Sequence, residues 1–203
     1  AASAASAATA ASAATAAKPH QRRRRPRTSS PECLPPSHDD RPKLSVVICM
    51  VKHDDYMTPF SAWEDVSAYI PRHLTLWEAF YGDGTSGAHL AELGFDVIHE
   101  DVDFFEHDLG ECVVTNPPFS ELPRVLARLR ELGKPFVVIM PCSTLTTRYF
   151  RDLFPDIQVI VPRRRIQFRK LVDGVEVPSG RCSFDCLYFC WRLGLPRDVV
   201  FLT

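Results

Sequence analysis

The most informative part of the sequence is Cys112-Val113-Val114-Thr115-Asn116-Pro117-Pro118-Phe119, a short apolar run that ends in a polar-Pro-Pro-aromatic corner. The two prolines fix φ and remove two backbone donors, so the carbonyl groups around them are left free to accept hydrogen bonds. The amide oxygen of Asn116 and the carbonyl of Pro117 can together accept both hydrogens of an exocyclic amine, and Phe119 can stack on the ring that carries it. A strand that ends in a Pro-Pro turn, with Asn as turn former, explains the same residues equally well.

Apolar runs alternate with helix-like segments on both sides of this corner. The predicted strands are Leu74–Phe80, Phe95–His99, Cys112–Thr115, Phe136–Met140, Ile157–Val161 and Phe184–Trp191, and the amphipathic segments are Ala62–Ile70, Gly87–Leu93, Glu121–Leu132 and Thr146–Phe154. Fully apolar strands between helices favour a parallel sheet covered on both faces, so the sequence predicts an α/β fold with a doubly wound, mostly parallel sheet. Val159–Phe168 and Cys182–Arg192 flank Asp173-Gly174 with no helix between them, which predicts an antiparallel C-terminal hairpin at the sheet edge.

Composition limits the function classes. The chain has 203 residues and a net charge of -1, which suits one domain plus a tail, and it contains no apolar run of membrane-spanning length. Its seven cysteines lie mostly inside apolar runs and indicate buried thiols in a reducing compartment. The spacing of Cys182, Cys186 and Cys190, with Phe184 and Tyr188 between them, places all five on one strand face, a core face rather than a zinc site. No metal site is expected.

Residues 1–43 are predicted to be a disordered, low-complexity and basic arm, and residues 44–203 to form the folded domain. Positions 1–17 contain only Ala, Ser and Thr, so they offer no large side chain for a core. The basic block Arg22–Arg25 with Arg27 leaves three interpretations open: a linker, a nuclear address or nucleic-acid-binding arm, and an organelle transit peptide. The expected location is intracellular, with nuclear and organellar variants open.

A glycine-rich loop follows the first core strand. Gly82, Gly84 and Gly87 match the GxGxxG dinucleotide pattern, and acidic residues stand downstream at Glu100, Asp101 and Asp103. NAD would place its pyrophosphate on the loop amides, where the carboxylate of Asp83 would repel it. S-adenosylmethionine carries a positive sulfonium and no phosphate, so it suits an acidic loop and the nearby carboxylate of Glu78. Glu100, with Asp101 close behind, is the predicted ribose ligand. A glycine-rich turn that binds nothing is the remaining alternative.

With this loop placed before the corner, the sequence resembles the Rossmann-type S-adenosylmethionine-dependent amino-methyltransferases, and most of all the adenine-N6 group. Tyr56-Met57-Thr58-Pro59 resembles the segment that helps to hold the methionine end of the cofactor. Residues 78–84 resemble the cofactor loop, and residues 116–119 resemble the catalytic tetrapeptide in its Asn/Phe form. The order of these motifs resembles the gamma arrangement of the DNA enzymes and most RNA enzymes. The resemblance covers about residues 53–190.

The resemblance implies S-adenosylmethionine as the cofactor and Asn116, Pro117, Pro118 and Phe119 as the catalytic residues. The implied cofactor-binding residues are Tyr56, Thr58, Pro59, Glu78, Phe80, Gly82, Asp83, Gly84, Glu100, Asp101, Asp103 and Phe104. Only 28 residues separate Gly87 from Asn116, so the third strand of the family has little room. Asp103-Phe104 then directly supplies the pair that brackets the adenine of the cofactor. No separate target-recognition domain is visible, which leaves a partner subunit for target recognition as an expectation.

The expected activity is methyl transfer to the N6 amine of adenine in nucleic acid. DNA is slightly preferred over structured RNA, because the compact layout resembles phage- and virus-type DNA adenine methylases. The residues predicted to contact nucleic acid are Arg163, Arg164, Arg165, Arg169 and Lys170, for which a solvated rim is the alternative. Three other functions stay open: a protein glutamine N5 methyltransferase, a non-catalytic nucleic-acid-binding subunit of the same fold, and an NAD oxidoreductase. The glutamine group normally has Tyr in place of Phe119 and an N-terminal helical domain.

Overall fold

The computed structural model describes residues 56–172, 175–177 and 184–203. The predicted boundary between arm and domain lies outside these residues, as do the basic block of the arm, Cys182 and the turn at Asp173-Gly174. The strands are β1 (Tyr56–Met57), β2 (Leu76–Trp77), β3 (Val97–Ile98), β4 (Cys112–Thr115), β5 (Phe136–Pro141), β6 (Gln158–Val161), β7 (Arg169–Val172), β8 (Val175–Val177), β9 (Cys186–Trp191) and β10 (Val199–Phe201). The α-helices are α1 (Phe60–Val66), α2 (Thr85–Glu92), α3 (Leu122–Leu132) and α4 (Arg148–Leu153).

Seven strands form one mixed sheet in the order β10-β6-β9-β5-β4-β2-β3. Every pairing in it is parallel except those of β9, which runs antiparallel to both β5 and β6. Six strands therefore point in one direction, and their carboxyl ends share one edge of the sheet. The predicted α/β fold with a mostly parallel sheet is confirmed.

Buried side chains cover both faces of this sheet. On one face Trp63 of α1 and Leu90 of α2 pack in one core cluster with strand residues such as Val114. On the other face Leu126 of α3 and Phe150 of α4 pack in a second cluster. Neighbouring residues of one strand point to opposite faces, so a strand with a core on each side must be apolar throughout. The helices thus lie on both sides of the sheet, as the pattern predicted.

The position of β9 corrects one prediction. The antiparallel relation between β6 and β9 is confirmed, but β9 lies inside the sheet between β5 and β6, and β10 takes the edge. Five of the six residues of β9 are buried, including Tyr188 and Cys190, so this strand needs neighbours on both sides and cover on both faces. Cys186, Tyr188 and Cys190 face one core cluster together, which confirms the core-face interpretation of these residues.

A separate antiparallel sheet of three strands has the order β1-β7-β8. In it Tyr56 lies opposite Lys170, and Met57 lies opposite Arg169. β7 also pairs antiparallel with β8, so these two strands lie outside the main sheet. The predicted strand Ile157–Val161 ends where β6 ends, whereas the predicted hairpin arm Val159–Phe168 is wrong beyond Val161.

The chain between β3 and β4 is short. Residues 99–111 are all described and contain turns but no strand, so no further strand lies between β3 and β4. Gly133 ends α3 with φ +64°, a left-handed conformation that glycine adopts without strain. Across the described part of the chain, no helix has the length and apolar character that crossing a membrane would require.

Candidate functional site

A cleft of about 430 Å³ opens at the carboxyl ends of β2 and β4. The chain leaves β2 toward β3 on one side, whereas β4 lies on the other side of β2. Loops that leave a sheet in opposite directions open a crevice between them, and such switch points are where open α/β sheets bind ligands. Its volume falls in the range of small-molecule sites, roughly 300–1,000 Å³.

The cleft collects most of the residues that the sequence singled out. Ten of them line it: Tyr56, Thr58, Glu78, Phe80, Gly82, Asp101, Asp103, Phe104, Asn116 and Pro118. Six others do not: Pro59, Asp83, Gly84, Glu100, Pro117 and Phe119. Residues from four separate stretches of the chain therefore meet at one place, as the resemblance led us to expect for a single site.

Asn116 lines the cleft and carries a buried hydrogen-bond acceptor. Its side-chain Nδ2 donates to the backbone carbonyl of Tyr56 at 3.2 Å. A carbonyl oxygen can only accept, so this contact fixes which end of the amide is nitrogen. The other end, Oδ1, is buried and has no hydrogen-bond partner among the described residues. A buried acceptor without a donor is costly, which makes Oδ1 a candidate for contact with a ligand N–H group.

The Pro-Pro corner gives Asn116 a rigid surrounding. Pro117 is buried, and Pro118 lines the cleft. Phe119 begins a short 3-10 helix and packs edge-on against Phe184, with ring centroids 5.3 Å apart, and against Phe168 at 6.5 Å. These aromatic contacts hold the corner against the body of the domain.

The glycine loop turns sharply between β2 and α2. Gly82 and Gly84 both have positive φ, +59° and +81°. A side chain at Gly82 would also meet Met57, because its Cβ would lie 2.9 Å from the Met57 sulfur. The loop therefore needs glycine for its conformation and for the close approach of β1.

Asp83 is directed into the protein rather than into the cleft. Its Oδ1 accepts hydrogen bonds from the backbone N–H of Thr85 at 3.0 Å and from the Thr85 hydroxyl at 2.5 Å, and Arg169 donates to Oδ2 at 3.3 Å. Burial raises the pKa of Asp83, but the hydrogen bonds from Thr85 and the charge of Arg169 outweigh it, so the pKa lies below its ordinary value. Asp83 thus anchors the loop to the first turn of α2 and to β7.

Glu78 lies at the centre of a buried polar group. The Thr115 hydroxyl donates to its Oε1 at 2.7 Å, and Nδ1 of His99 lies 2.8 Å from its Oε2. Burial raises the pKa of Glu78, and the contacts with His99 and Thr115 only partly offset this. Burial lowers the pKa of His99, but its hydrogen bond with Glu78 and the charge of that carboxylate raise the pKa above its ordinary value.

Gly87 makes room for His99. A Cβ at position 87 would lie 2.2 Å from Cγ of His99, which is far inside any contact distance. The opposite side of the imidazole stacks on Tyr81, with ring centroids 4.7 Å apart and planes 14° apart. The third glycine of the pattern therefore serves the packing of His99 against α2.

The acidic residues after β3 divide into two groups. Glu100 is exposed and lies outside the cleft, whereas Asp101 and Asp103 line it. Phe104 is buried and packs on Phe80, with ring centroids 5.1 Å apart. One end of the cleft therefore combines carboxylates with flat apolar surface.

The predicted basic residues lie in different parts of the domain. Arg163, Arg164 and Arg165 line a second cleft, of about 410 Å³, together with Pro59. Arg169 bridges two carboxylates, that of Asp83 at 3.3 Å and that of Glu176 at 3.0 Å, so its charge is largely compensated. Lys170 lies in β7 opposite Tyr56.

Sequence reasoning missed several residues of the site. Met57, Ala79, Tyr81, Ser86, Val102 and Phe105 also line the cleft, and His99 and Thr115 form the buried polar group beneath it. In the sequence, His99 and Thr115 end the apolar runs Phe95–His99 and Cys112–Thr115, and the apolar pattern assigns them no polar role. The signal that could have found them is a polar residue at the carboxyl end of a predicted parallel strand, which points to the same sheet edge as the glycine loop.

Within the described residues, no cluster of histidine, cysteine or acidic side chains could hold a metal ion. His53, Asp54 and Asp55 lie outside those residues. Compared with known proteins, the sequence matches no family model and no curated protein. The function must therefore be argued from the geometry of the site.

Proposed function

We propose that this chain transfers a methyl group from S-adenosylmethionine to the N6 amine of adenine in nucleic acid. The observation that carries the proposal is the unpartnered Oδ1 of Asn116, buried at a cleft between β2 and β4 and oriented by the carbonyl of Tyr56. A switch-point cleft in a sheet with helices on both faces is compatible with a Rossmann-like fold, which this proposal adopts.

The charge of the cleft favours a cationic cofactor. Its lining includes the exposed carboxylates of Asp101 and Asp103, and no Lys or Arg among the described residues. A pyrophosphate binds to N–H groups and positive charge, so this acidic lining disfavours NAD. The positively charged sulfonium and ammonium groups of S-adenosylmethionine are attracted to it. The acidic lining therefore argues against an NAD-dependent oxidoreductase more strongly than the glycine pattern does.

The cofactor fits the residues at both ends of the cleft. Phe80 and Phe104 offer apolar surface for a purine ring, and Asp101 and Asp103 offer acceptors for ribose hydroxyls. Glu78 contacts Thr115 and His99, so it acts chiefly by fixing the loop after β2 to the ends of β3 and β4. When bound, S-adenosylmethionine supplies a methyl group on a positively charged sulfur. The sulfur leaves as a neutral thioether and keeps the electron pair of the carbon–sulfur bond.

Asn116 activates the nucleophile in this proposal. The N6 lone pair of adenine is delocalised into the ring, and a hydrogen bond accepted by Oδ1 of Asn116 draws the nitrogen toward a tetrahedral shape. This bond strengthens as positive charge develops on nitrogen, so it stabilises the transition state more than the ground state. A new nitrogen–carbon bond forms, the carbon–sulfur bond breaks, and the nitrogen then loses one proton to water. In a duplex the base must first leave the stack.

A labelling experiment tests the proposal. The protein is incubated with S-adenosylmethionine tritiated at the methyl group and with single-stranded DNA, duplex DNA, RNA or a protein extract, and the labelled product is hydrolysed and identified. We expect N6-methyladenine from a nucleic acid, with DNA the better substrate. Label in protein alone, or no transfer to any substrate, overturns the proposal.

The variant Asn116→Ala tests the catalytic role. Loss of one transition-state hydrogen-bond partner lowers turnover by a factor of about 10²–10³. Binding of S-adenosylmethionine, measured by calorimetry, should stay close to that of the unmodified protein. Full activity of this variant would contradict the role of the corner.

A further inference from the structure

The second cleft lies beside α1, where the chain continues beyond β6. Its lining is Pro59, Ser61, Ala62, Asp65, Arg163, Arg164, Arg165, Ile166 and Gln167, and its volume is about 410 Å³. Ile166 and Phe168 are buried in the core, so the segment that carries the three arginines is fixed to the domain while its arginines are exposed. The cleft is therefore a surface with a defined shape.

Two charges in this cleft lack compensation. Arg165 contacts Asp185 through Nε at 2.5 Å. Arg163 and Arg164 are exposed, and neither has an ion-pair partner within the part of the chain that the structure describes. Among the described residues, Asp65 is the single carboxylate of the lining. The cleft thus carries net positive charge, in contrast to the acidic lining of the first cleft.

One short segment of chain separates the two clefts. Thr58 lines the first cleft and Pro59 lines the second, and consecutive Cα atoms are about 3.8 Å apart. The same segment carries the Tyr56 carbonyl that orients Asn116, and the Tyr56 ring contacts that of Phe168, with centroids 6.2 Å apart. A ligand with a base in the first cleft therefore has its neighbouring groups close to the second.

We propose that the second cleft binds a backbone phosphate of the nucleic acid strand, next to the adenine that receives the methyl group. This rests on the function proposed above. Arginine presents several N–H groups in a planar fork that matches phosphate oxygens, and phosphate contacts position a strand without reading its sequence. Arg163 and Arg164 bind the phosphate, Arg165 is held by Asp185 as part of the wall, and Arg169 takes no part.

Binding of a fluorescent oligothymidylate with one central adenine tests this assignment. The double variant Arg163→Gln/Arg164→Gln is compared with Arg151→Gln/Arg197→Gln, which removes the same charge at exposed positions outside both clefts. We expect the first variant to bind at least about tenfold more weakly at low salt and to lower the slope of log K against log salt by about 1, and the control to change neither. Equal behaviour of the two variants overturns the assignment.

A backbone scan locates the phosphate. Each phosphate near the adenine is replaced in turn by an uncharged methylphosphonate, and affinity is measured for the unmodified protein and for Arg163→Gln/Arg164→Gln. One position should weaken binding to the unmodified protein and have no effect on the variant, as expected for a coupled pair. Uniform sensitivity along the strand contradicts a defined site. An oligouridylate with one adenine, run in parallel, shows whether DNA or RNA supplies the phosphate.

These measurements separate the two proposals. Binding that depends on Arg163 and Arg164, without methyl transfer, would support the phosphate site and refute the enzymatic function. Methyl transfer with binding that does not depend on Arg163 and Arg164 would support the enzymatic function and refute the phosphate site. Normal binding of S-adenosylmethionine by the double variant shows that the protein is folded.

Discussion

Nδ1 of His99 lies 2.8 Å from Oε2 of Glu78, between the ends of two neighbouring parallel strands. Oε1 of the same carboxylate accepts a hydrogen bond from Thr115, the residue that directly precedes Asn116. A continuous buried polar chain therefore joins the loop after β2, the end of β3 and the corner after β4. A change of charge or position at one of these strand ends therefore alters the contacts of the other two.

The Glu78–His99 pair predicts a pH-dependent stability. Both groups have a pKa raised above the ordinary values of 4.5 and 6.5, so the folded state holds more protons than the unfolded state. The free energy of unfolding that the pair contributes is present in full at low pH and falls as pH rises through the raised values. In Glu78→Gln the carboxylate that raises the His99 pKa is lost, so the pKa of His99 lies lower than in the unmodified protein.

We therefore expect the stability advantage of the unmodified protein over Glu78→Gln to shrink as pH rises from about 5 to 8. Urea unfolding at several pH values measures it. The exposed residue Glu92 of α2 provides the control, and Glu92→Gln should show no such trend. An advantage that grows with pH would refute the pairing.

Gly87→Ala tests the packing of His99 on α2. Alanine in a helix interior normally gains up to about 1 kcal/mol over glycine. At position 87 the new Cβ would overlap the Cβ and ring of His99, at 2.5 and 2.2 Å, so we expect a net destabilisation of about 1–3 kcal/mol. In a His99→Gly background the same change should become neutral or stabilising. A loss of the same size in both backgrounds would rule out the clash.

Thr115→Val tests the link to the corner. The change keeps the shape of a fully buried side chain and leaves Oε1 of Glu78 without its donor. We expect a loss of about 1–3 kcal/mol in the free energy of unfolding. Thr75→Val breaks a similar bond to Asp96, of 2.6 Å, at an exposed position, and should change stability by no more than about 0.5 kcal/mol. Equal effects would show that burial does not strengthen the Thr115 contact.

Asn116 is the only asparagine of the chain, which permits a direct measurement of its amide. Protein labelled with 15N only at asparagine gives one pair of side-chain NH2 signals. Because one proton bonds to the Tyr56 carbonyl, we expect it to exchange more slowly with water than its partner. Addition of an adenine-containing oligonucleotide should shift the pair. Two equivalent, rapidly exchanging protons would contradict the orientation of Oδ1.

Much of the fold could be predicted because local pattern and tertiary environment agree. The helix at residues 122–132 has apolar residues at three- and four-residue spacing, and Leu122, Val125, Leu126 and Leu129 are all buried. The place of β9 could not be predicted, since an apolar run shows that a strand is buried but not which strands pair with it. β10 was missed because only Val200 of its three residues is buried.

Positions in the site could be predicted where a motif fixes the backbone conformation. They could not be predicted where a side chain has several potential partners. Gly82, Asn116 and Pro118 lie where their motifs place them, at the cleft. Asp83 belongs to the same loop, yet its carboxylate contacts Thr85 and Arg169 instead. Arg169 is far from the loop in sequence, and its choice of partner depends on the pairing of β1 with β7. Such a choice cannot be deduced from the spacing of residues.

The pairing of β1 with β7 has a consequence for the order of folding. Tyr56 is made early, but its partner strand begins at Arg169, so closing this contact orders most of the described chain at once. During synthesis, β2 to β5 can assemble while the carbonyl that orients Asn116 is still unpaired in any sheet. A ribosome-bound chain that stops short of β7 also lacks β9, the buried strand between β5 and β6, so we expect it to have an incomplete core and no support for the Asn116 corner from β1 and β7. Under the proposed function, methyl transfer would then begin late in the maturation of each molecule and in a single step.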